Sequence, residues 1–258
     1  MGAVSEVEVV VAHAERATVR AGDVFIKIDS DPARLDRELA AMDLAPVPTG
    51  EVLWRQPQAM AVARVRGERL ARLGEVSSAP ASVWRAVGAV VRRLHEAPVP
   101  ALPGRPAATI DVLARECEAL VGEGILPVSV VIRHQELASR VVRSFEPAFT
   151  HGDLQPEHVF VEGGGANPRV TGIIDWSEGG PGDPLFDLAT LTLGHAARLP
   201  DLLDGYEASG HMPVDASLVE AWWSWRCLTN IRWLAAHGFD PFLPGGEGDM
   251  LLGGAWGR

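Results

Sequence analysis

The chain has 258 residues and a formal net charge of −11 at pH 7, and 47% of its residues are hydrophobic. This length allows a substantial buried core and suits two lobes. No apolar run is long enough to span a membrane, and the acidic balance argues against a nucleic-acid partner. Residues 151–258 carry 15 acidic and 5 basic side chains, which fits either attraction of a cationic substrate or plain solubility.

Two features indicate a cytoplasmic protein. The first residues lack the basic region of a secretory signal. The two cysteines, Cys117 and Cys227, are far apart and lack metal-ligand spacing, so they predict free thiols in a reducing compartment.

The first part of the chain predicts a small antiparallel sheet. Residues 6–11 and 17–28 are rich in β-branched residues, with a turn at 21–23, and further strands are predicted at 52–54 and 59–65. Lys27, in the strand that ends the second run, is the only lysine among 23 cationic residues. Because an ammonium is a compact point charge that suits one phosphate oxygen, Lys27 is a candidate phosphate ligand.

The remaining sequence predicts helices around one hairpin. The predicted helices cover residues 32–44, 82–97, 109–122, 132–144, 185–198, 200–209 and 215–237. Strands at 158–162 and 169–174, joined by a glycine turn at 163–165, predict the hairpin. We expect at least two of the four tryptophans between 222 and 233 to lie in the core, and the glycine-rich residues 244–258 to form a loosely ordered tail.

The most informative motif is T-H-G-D-L-Q-P-E-H-V-F-V at residues 150–161, followed by I-I-D-W at 173–176. A carboxylate in a tight loop is followed five residues later by a possible metal ligand, and a second carboxylate ends a short apolar strand. Phosphoryl transfer needs a positioned hydroxyl and neutralisation of phosphate charge. Asp153 suits the first role, and Asp175 suits magnesium binding.

The loop resembles the catalytic loop of protein kinases, with Gly152 at the arginine position. H-G-D here, I-I-D-W in place of D-F-G, and D-P-L-F-D-L-A at 183–189 together resemble the aminoglycoside phosphotransferase and choline-kinase-like family. The resemblance implies an α+β, two-lobed protein-kinase-like fold. Its N-lobe, residues 1–66, would be a small antiparallel sheet with one helix, and its C-lobe, residues 67–258, would be larger and mostly helical.

The resemblance also implies roles for site residues. Lys27 would contact nucleotide phosphates and pair with Glu38 in the helix at 32–44, Asp36 and Asp43 being alternative partners. The base of ATP or GTP would bind the backbone near Ala63 and Val65. Asp153 would be catalytic, with structural support from two residues, His151 and Asp187.

Two departures from kinases stand out. No glycine-rich motif precedes Lys27, and the loop at 13–16 contains no glycine. His158 occupies the position of the family's metal-binding asparagine, although magnesium prefers oxygen ligands. We considered three outcomes: His158 contacts Mg²⁺ or its water, Asp175 serves with water alone, or the protein binds nucleotide without transfer. A transition-metal site of His151, Asp153 and His158 is a further alternative.

The predicted function is transfer of the γ-phosphoryl of a nucleoside triphosphate to a hydroxyl of a small, cationic molecule. An aminoglycoside antibiotic is the first candidate, followed by choline, ethanolamine, a sugar or an amino-acid alcohol. The rival is a catalytically silent nucleotide-binding module. We expect Mg²⁺ as cofactor and no nucleic-acid or membrane partner.

Overall fold

The computed structural model of the chain describes residues 7–12, 15–72, 74–164, 167–208 and 213–253. The first five strands are β1 (Val7–Ala12), β2 (Arg16–Ala21), β3 (Val24–Asp29), β4 (Val52–Gln56) and β5 (Ala59–Ala63). They form one antiparallel sheet in the order β1-β2-β3-β5-β4. The predicted N-terminal sheet is confirmed, with residues 13 and 14 of its first loop outside the described residues.

Helix α1 (Pro32–Leu44) has the predicted bounds and packs against β3 and β5. It begins where the sequence offers a start signal. The Asp31 carboxylate accepts a hydrogen bond from the Ala33 amide at 3.0 Å, and Pro32 needs no amide partner. The helical period then buries Leu35 and Glu38 on the same side. Glu38 therefore faces the sheet that carries Lys27.

The rest of the chain is mostly helical, as predicted. Its helices are α2 (Ala81–His95), α3 (Ile110–Gly122), α4 (Val128–Ser139), α5 (Pro184–Thr192), α6 (Leu199–Tyr206), α7 (Ala216–Ala236) and α8 (Glu247–Gly253). Its strands are β6 (Glu68–Arg69), β7 (Ala148–Thr150), β8 (Val159–Glu162), β9 (Arg169–Ile173) and β10 (Gly180–Gly182). The order β6-β8-β9 gives one small sheet, and β7 pairs with β10.

Gly67 lies at the passage from the first sheet to the second. Its φ is 97°, and a Cβ there would lie 2.5 Å from the Val161 carbonyl oxygen. Only glycine suits both the backbone conformation and this close approach. The chain thus leaves the first sheet after Ala63 and pairs with β8 from Glu68. The boundary predicted between residues 66 and 67 stays a proposal.

Three predictions about the helical part need correction. Helix α4 covers Val128–Ser139, earlier than the predicted 132–144, because Pro127 precedes its first turn. Helix α5 ends at Thr192 because Gly194 adopts a φ of 75°, and a 3₁₀ turn at Ala196–Arg198 follows. The expectation of a loose tail from residue 244 is wrong for the described part, where α8 packs against α7 and buries Leu251.

The core confirms the tryptophan prediction. Trp222, Trp223 and Trp225 are buried, whereas Trp233 is 49% exposed. Cys117 and Cys227 are buried free thiols, as predicted. Among the described residues, no helix combines the length and apolar character that crossing a membrane requires.

Candidate active site

The loop between β7 and β8 requires glycine at position 152. Gly152 has a φ of 81°, and a Cβ there would lie 2.3 Å from the Glu178 carbonyl oxygen. The arginine found here in protein kinases would therefore not fit this backbone. A 3₁₀ turn at Pro156–His158 then leads into β8. Asp153 lies between Gly152 and this 3₁₀ turn.

Asp187 is buried in the first turn of α5 and accepts hydrogen bonds from the backbone of the loop between β7 and β8. Its Oδ2 accepts the His151 amide at 2.7 Å, and its Oδ1 accepts the Gly152 amide at 2.9 Å. His95 lies 3.1 Å from Oδ2 through Nε2, and its Nδ1 is 2.9 Å from the Tyr206 hydroxyl. Burial raises the pKa of Tyr206 to about 12, so the hydroxyl remains a donor. His95 therefore orients the Asp187 carboxylate that shapes the loop.

His151 and His158 are held in opposite tautomers by their partners. His151 Nε2 donates to the Ile174 carbonyl at 3.0 Å, and its Nδ1 accepts the Asp153 amide at 3.3 Å. Burial lowers the pKa of His151, which fits this neutral form. His158 instead donates from Nδ1 to the Asp153 carbonyl at 2.9 Å. Its Nε2 is 3.8 Å from Asp175 Oδ2, so the lone pair of the neutral ring faces the second carboxylate.

Asp153 has two side-chain partners. Arg226 of α7 donates to Oδ1 at 3.0 Å, and Gln155 donates to Oδ2 at 3.0 Å. Burial alone would raise the pKa of Asp153, but the guanidinium of Arg226 outweighs it and holds this pKa below its usual value. Asp153 is therefore an ionised carboxylate, and its oxygens can accept a hydrogen bond from a hydroxyl group.

Lys27 connects the first sheet with the second carboxylate. Its Nζ donates to Glu38 Oε1 and, at 3.0 Å, to Asp175 Oδ1. Burial would lower the pKa of Lys27, but Asp175 and Glu38 raise it above its usual value. Asp36 and Asp43, the alternative partners, are not in this contact; Asp36 pairs with Arg55. The structure thus brings together Lys27, Glu38 and Asp175 from three separate segments.

Asp175 occupies a strained backbone position. It is the one non-glycine residue with a positive φ, 67°, in the part of the chain that the structure describes. Such strained conformations cluster at active sites and ligand-binding sites. Burial would raise the pKa of Asp175, but Lys27 holds it well below its usual range. Arg16 adds a second cation, with Nη2 3.8 Å from Oδ1.

The residues present fit a magnesium ion that is held mainly by nucleotide phosphates. Mg²⁺ commonly keeps several waters and binds one or two protein carboxylates in addition to phosphates. Asp175 offers such a carboxylate, and His158 Nε2 offers a lone pair beside it. No group of three or more His, Cys, Asp or Glu side chains among the described residues is arranged to hold a metal by itself. Both ring nitrogens of His151 also have hydrogen-bond partners within the chain, which disfavours the transition-metal alternative.

The remaining predicted residues lie at the end of β5. Ala63 pairs with Val24 and its amide donates to the Glu51 carbonyl at 2.8 Å. Val65 follows the strand, and its side chain packs over Gly172 of β9. Both lie where the chain passes between the two sheets.

Sequence reasoning missed three arginines near the carboxylates. Arg226 contacts Asp153, and Arg16 lies near Asp175. Arg105 donates to the Gly152 carbonyl at 3.3 Å and stacks 4.2 Å from the Phe186 ring centroid. A signal existed for Arg226, which is a lone charge within the buried run from Ala221 to Leu228. Arg16 and Arg105 carried no comparable signal.

The sequence matches a protein-family model over most of its length. The model of the phosphotransferase enzyme family (APH) matches residues 14–226, which include both carboxylates and Lys27. The chain belongs to this family. One relative, viomycin phosphotransferase from Streptomyces vinaceus, is 42% identical over 52 residues. The aligned segment covers 20% of this chain and only 18% of that protein.

Solved structures related to the family confirm the fold. A macrolide 2'-phosphotransferase type I superposes with a TM-score of 0.70 at 17% identity, covering 95% of this chain and 90% of that one. A choline/ethanolamine kinase family protein from Mesorhizobium loti gives 0.68 at 21% identity, with 98% and 88% covered. The GDP complex of aminoglycoside 2'-phosphotransferase-IIIa gives 0.68 at 17% identity, with 98% and 92% covered. The predicted two-lobed, kinase-like α+β fold and the family resemblance are both confirmed.

Proposed function

We propose that this phosphotransferase moves the γ-phosphoryl group of ATP or GTP to a hydroxyl of a small, amine-bearing molecule. The observation that carries the proposal is the arrangement around the two ionised carboxylates. Lys27, buttressed by Glu38, contacts Asp175, while Asp153 lies in a separately fixed loop. This arrangement supplies a phosphate ligand, a metal ligand and a hydroxyl-positioning group in one site.

The chain's own residues account for each need of the reaction. Asp153 accepts a hydrogen bond from the acceptor hydroxyl and takes up its proton as the new O–P bond forms. The bond between the γ-phosphorus and the bridging oxygen breaks, and the nucleoside diphosphate leaves with that oxygen. Lys27 and Arg16 hold phosphate oxygens on the side of Asp175. A magnesium ion, when bound by Asp175 and His158, neutralises charge on the phosphates.

Arg16 offers a reason why this site works without a glycine-rich loop. It is the first residue of β2 and the last of the stretch 13–16, which contains no glycine. Its guanidinium lies 3.8 Å from both Asp29 Oδ2 and Asp175 Oδ1. A guanidinium presents a planar fork that matches phosphate oxygens. In our proposal a side chain therefore provides the phosphate contact that backbone amides provide in protein kinases.

Several acceptor classes satisfy the proposal. Aminoglycoside antibiotics come first, since solved neighbours include aminoglycoside phosphotransferases, and choline, ethanolamine and amino-acid alcohols follow. Each of these carries a cationic amine or quaternary ammonium group, which the acidic C-terminal part would attract. A cytoplasmic location and the division at residues 66 and 67 belong to the same proposal.

Two measurements separate this function from a silent nucleotide-binding module. Melting temperature is followed while ATP or GTP is titrated with and without Mg²⁺, and nucleoside diphosphate release is measured with each acceptor class. We expect Mg²⁺-dependent stabilisation and acceptor-stimulated release. Stabilisation without release for any acceptor supports the silent module, and a melting temperature unaffected by either nucleotide contradicts both functions.

A further inference from the structure

Asp29 is a buried carboxylate that has no role in the proposed reaction. It ends β3, two residues after Lys27, and is only 3% exposed. Because side chains alternate along a strand, Asp29 and Lys27 lie on the same face of the sheet. Arg16 of β2 is the direct cross-strand partner of Asp29, so its side chain lies on that face as well. Asp29 is therefore a neighbour of the two cations that contact Asp175.

Ion pairs of alternating sign connect Asp29 to the candidate site. Its Oδ2 lies 3.8 Å from Arg16 Nε and 3.8 Å from Arg34 Nη1. Arg34 also donates to Glu15 Oε2 at 2.6 Å, and Arg16 Nη2 lies 3.8 Å from Asp175 Oδ1. A buried carboxylate needs such partners because removal of a charge from water costs free energy. The buried position of Asp29 thus depends on the two guanidinium groups beside it.

Arg16 offers a different nitrogen to each of its two carboxylates. Nε faces Asp29, and Nη2 faces Asp175. A phosphate oxygen beside Asp175 would take Nη2 as its partner, whereas the Nε contact lies on the other side and can persist. A long side chain loses rotamer freedom when it is fixed on a ligand, and an anchor that already fixes it reduces this cost.

The two oxygens of Asp29 serve separate purposes. Oδ1 accepts a hydrogen bond from the Asp31 amide at 2.8 Å, next to the start of α1. Oδ2 faces both guanidinium groups. Asparagine at this position can still accept from the Asp31 amide, but it has no charge for Arg16 and Arg34. Asp29→Asn therefore removes the ion pairs and keeps the local hydrogen bond.

We propose that Asp29 is a positioning residue for the nucleotide, which holds Arg16 so that its guanidinium meets a phosphate oxygen beside Asp175. The inference rests on the proposed function. By its charge alone Asp29 would repel an anionic ligand, so its neutralisation would tighten nucleotide binding. Positioning of Arg16 predicts the opposite sign, because the guanidinium loses its anchor.

A double-mutant cycle on the full chain tests this sign. Affinity for ATP and GTP with Mg²⁺ is measured by calorimetry in the wild type, Asp29→Asn, Arg16→Gln and the double variant. We expect Asp29→Asn to weaken binding about three- to fivefold, the upper range for a partly exposed ion pair. In the Arg16→Gln background the same change should leave affinity unchanged or improve it, because Asp29 acts through Arg16.

Two controls separate positioning from a general effect on the fold. Asp36→Asn removes an exposed carboxylate of α1 that pairs with Arg55 at 2.7 Å, and should change nucleotide affinity less than twofold. Binding of the nucleoside, which lacks phosphates, should be equal in Asp29→Asn and the wild type. Melting temperatures verify folding. Arg16→Lys gives a second test, since one ammonium cannot span both carboxylates and should weaken nucleotide binding about as much as Arg16→Gln.

The outcomes distinguish this inference from the proposed function. If the wild type binds nucleotide but Asp29→Asn binds it equally or more tightly, the inference is wrong and the function stands. The same holds if Asp29→Asn weakens binding equally in both backgrounds, if the nucleoside is affected as much as the nucleotide, or if Arg16→Lys binds normally. A wild type that binds neither nucleotide contradicts the proposed function, and the inference falls with it.

Discussion

The guanidinium of Arg226 lies 3.0 Å from Oδ1 of Asp153, the carboxylate that we propose accepts the proton of the acceptor hydroxyl. Arg226 is 13% exposed and comes from a helix whose neighbouring residues form the tryptophan-rich core. A rigid packed helix therefore fixes the cation that keeps Asp153 ionised. The same contact uses one lone pair of Oδ1 and leaves further lone pairs of the carboxylate for an acceptor hydroxyl.

Lys27→Arg should reduce kcat/KM about as strongly as Lys27→Ala, because a planar fork cannot replace a point charge held between Glu38 and Asp175. Loss of one such charge-stabilising contact typically costs about 10²–10³ in rate. Because Lys27 is the only lysine, an amine-reactive reagent can label it alone beside the N-terminal amine. Mass spectrometry should show that ATP with Mg²⁺ protects Lys27. Equal labelling with and without nucleotide would mean that Lys27 does not face the phosphates.

Arg16→Gln should raise KM for the nucleotide while leaving acceptor binding unchanged. A charge-assisted hydrogen bond contributes about 1.5–3 kcal/mol, which corresponds to roughly 10–100-fold in affinity. Nucleotide affinity is measured by calorimetry. Arg20→Gln is the matched control on the same strand, since Arg20 donates to the Gly22 carbonyl and lies over Phe25. Equal nucleotide affinity in both variants would remove Arg16 from the site.

His158→Asn should retain magnesium-dependent transfer, and His158→Ala should raise the Mg²⁺ concentration for half-maximal rate by about tenfold or more. Asparagine can donate to the Asp153 carbonyl and still present an oxygen toward Asp175, whereas alanine can do neither. Magnesium titrations of the wild type and both variants provide the test. Identical magnesium dependence for wild type and His158→Ala would place His158 outside the metal site.

Much of this site could be predicted because its key residues sit in local patterns. The helical period places Glu38 on the buried face of α1, and the spacing within residues 150–176 fixes Asp153, His158 and Asp175. Arg226 and Asp153 are 73 positions apart, so only the packing of α7 brings them together. Nothing local in the sequence encodes that packing.

Two elements and one side-chain contact could not be predicted from the sequence, for physical reasons. Helix α8 contains glycines that lower its intrinsic helix propensity, and packing against α7 and α4 stabilises it nonetheless. Strand β10 reads Gly-Pro-Gly, which resembles a turn until its pairing with β7 is known. His95 ends a helix in the ordinary way, and its contact with Asp187 depends on where α5 lies.

His134 predicts how stability depends on pH. Its Nδ1 is 3.0 Å from Ser224 Oγ, and burial together with Arg133 lowers the pKa of His134 from 6.5 to about 4. Since the unfolded chain binds this proton first, the contribution of neutral His134 to the free energy of unfolding is fully present above pH 6.5 and is lost as the pH falls through about 4.

His134→Gln should therefore flatten the decline in the free energy of unfolding between pH 6.5 and about 4. Urea unfolding across this range measures the effect. A slope that is the same in His134→Gln as in the wild type would show that His134 is not held neutral in the folded state.

In our proposal, Asp153 promotes transfer of a phosphoryl group to a small acceptor. Wild type and Asp153→Asn are incubated with ATP or GTP, Mg²⁺ and a panel of hydroxylated amines, amino acids, aminoglycosides and macrolides, and phosphorylated products are detected by mass spectrometry. We predict a product with at least one acceptor in the wild type, and a rate about 10²–10⁴-fold lower in Asp153→Asn with nucleotide affinity preserved. An Asp153→Asn variant that forms the product at the wild-type rate, or a wild type that phosphorylates no member of the panel, would contradict the claim.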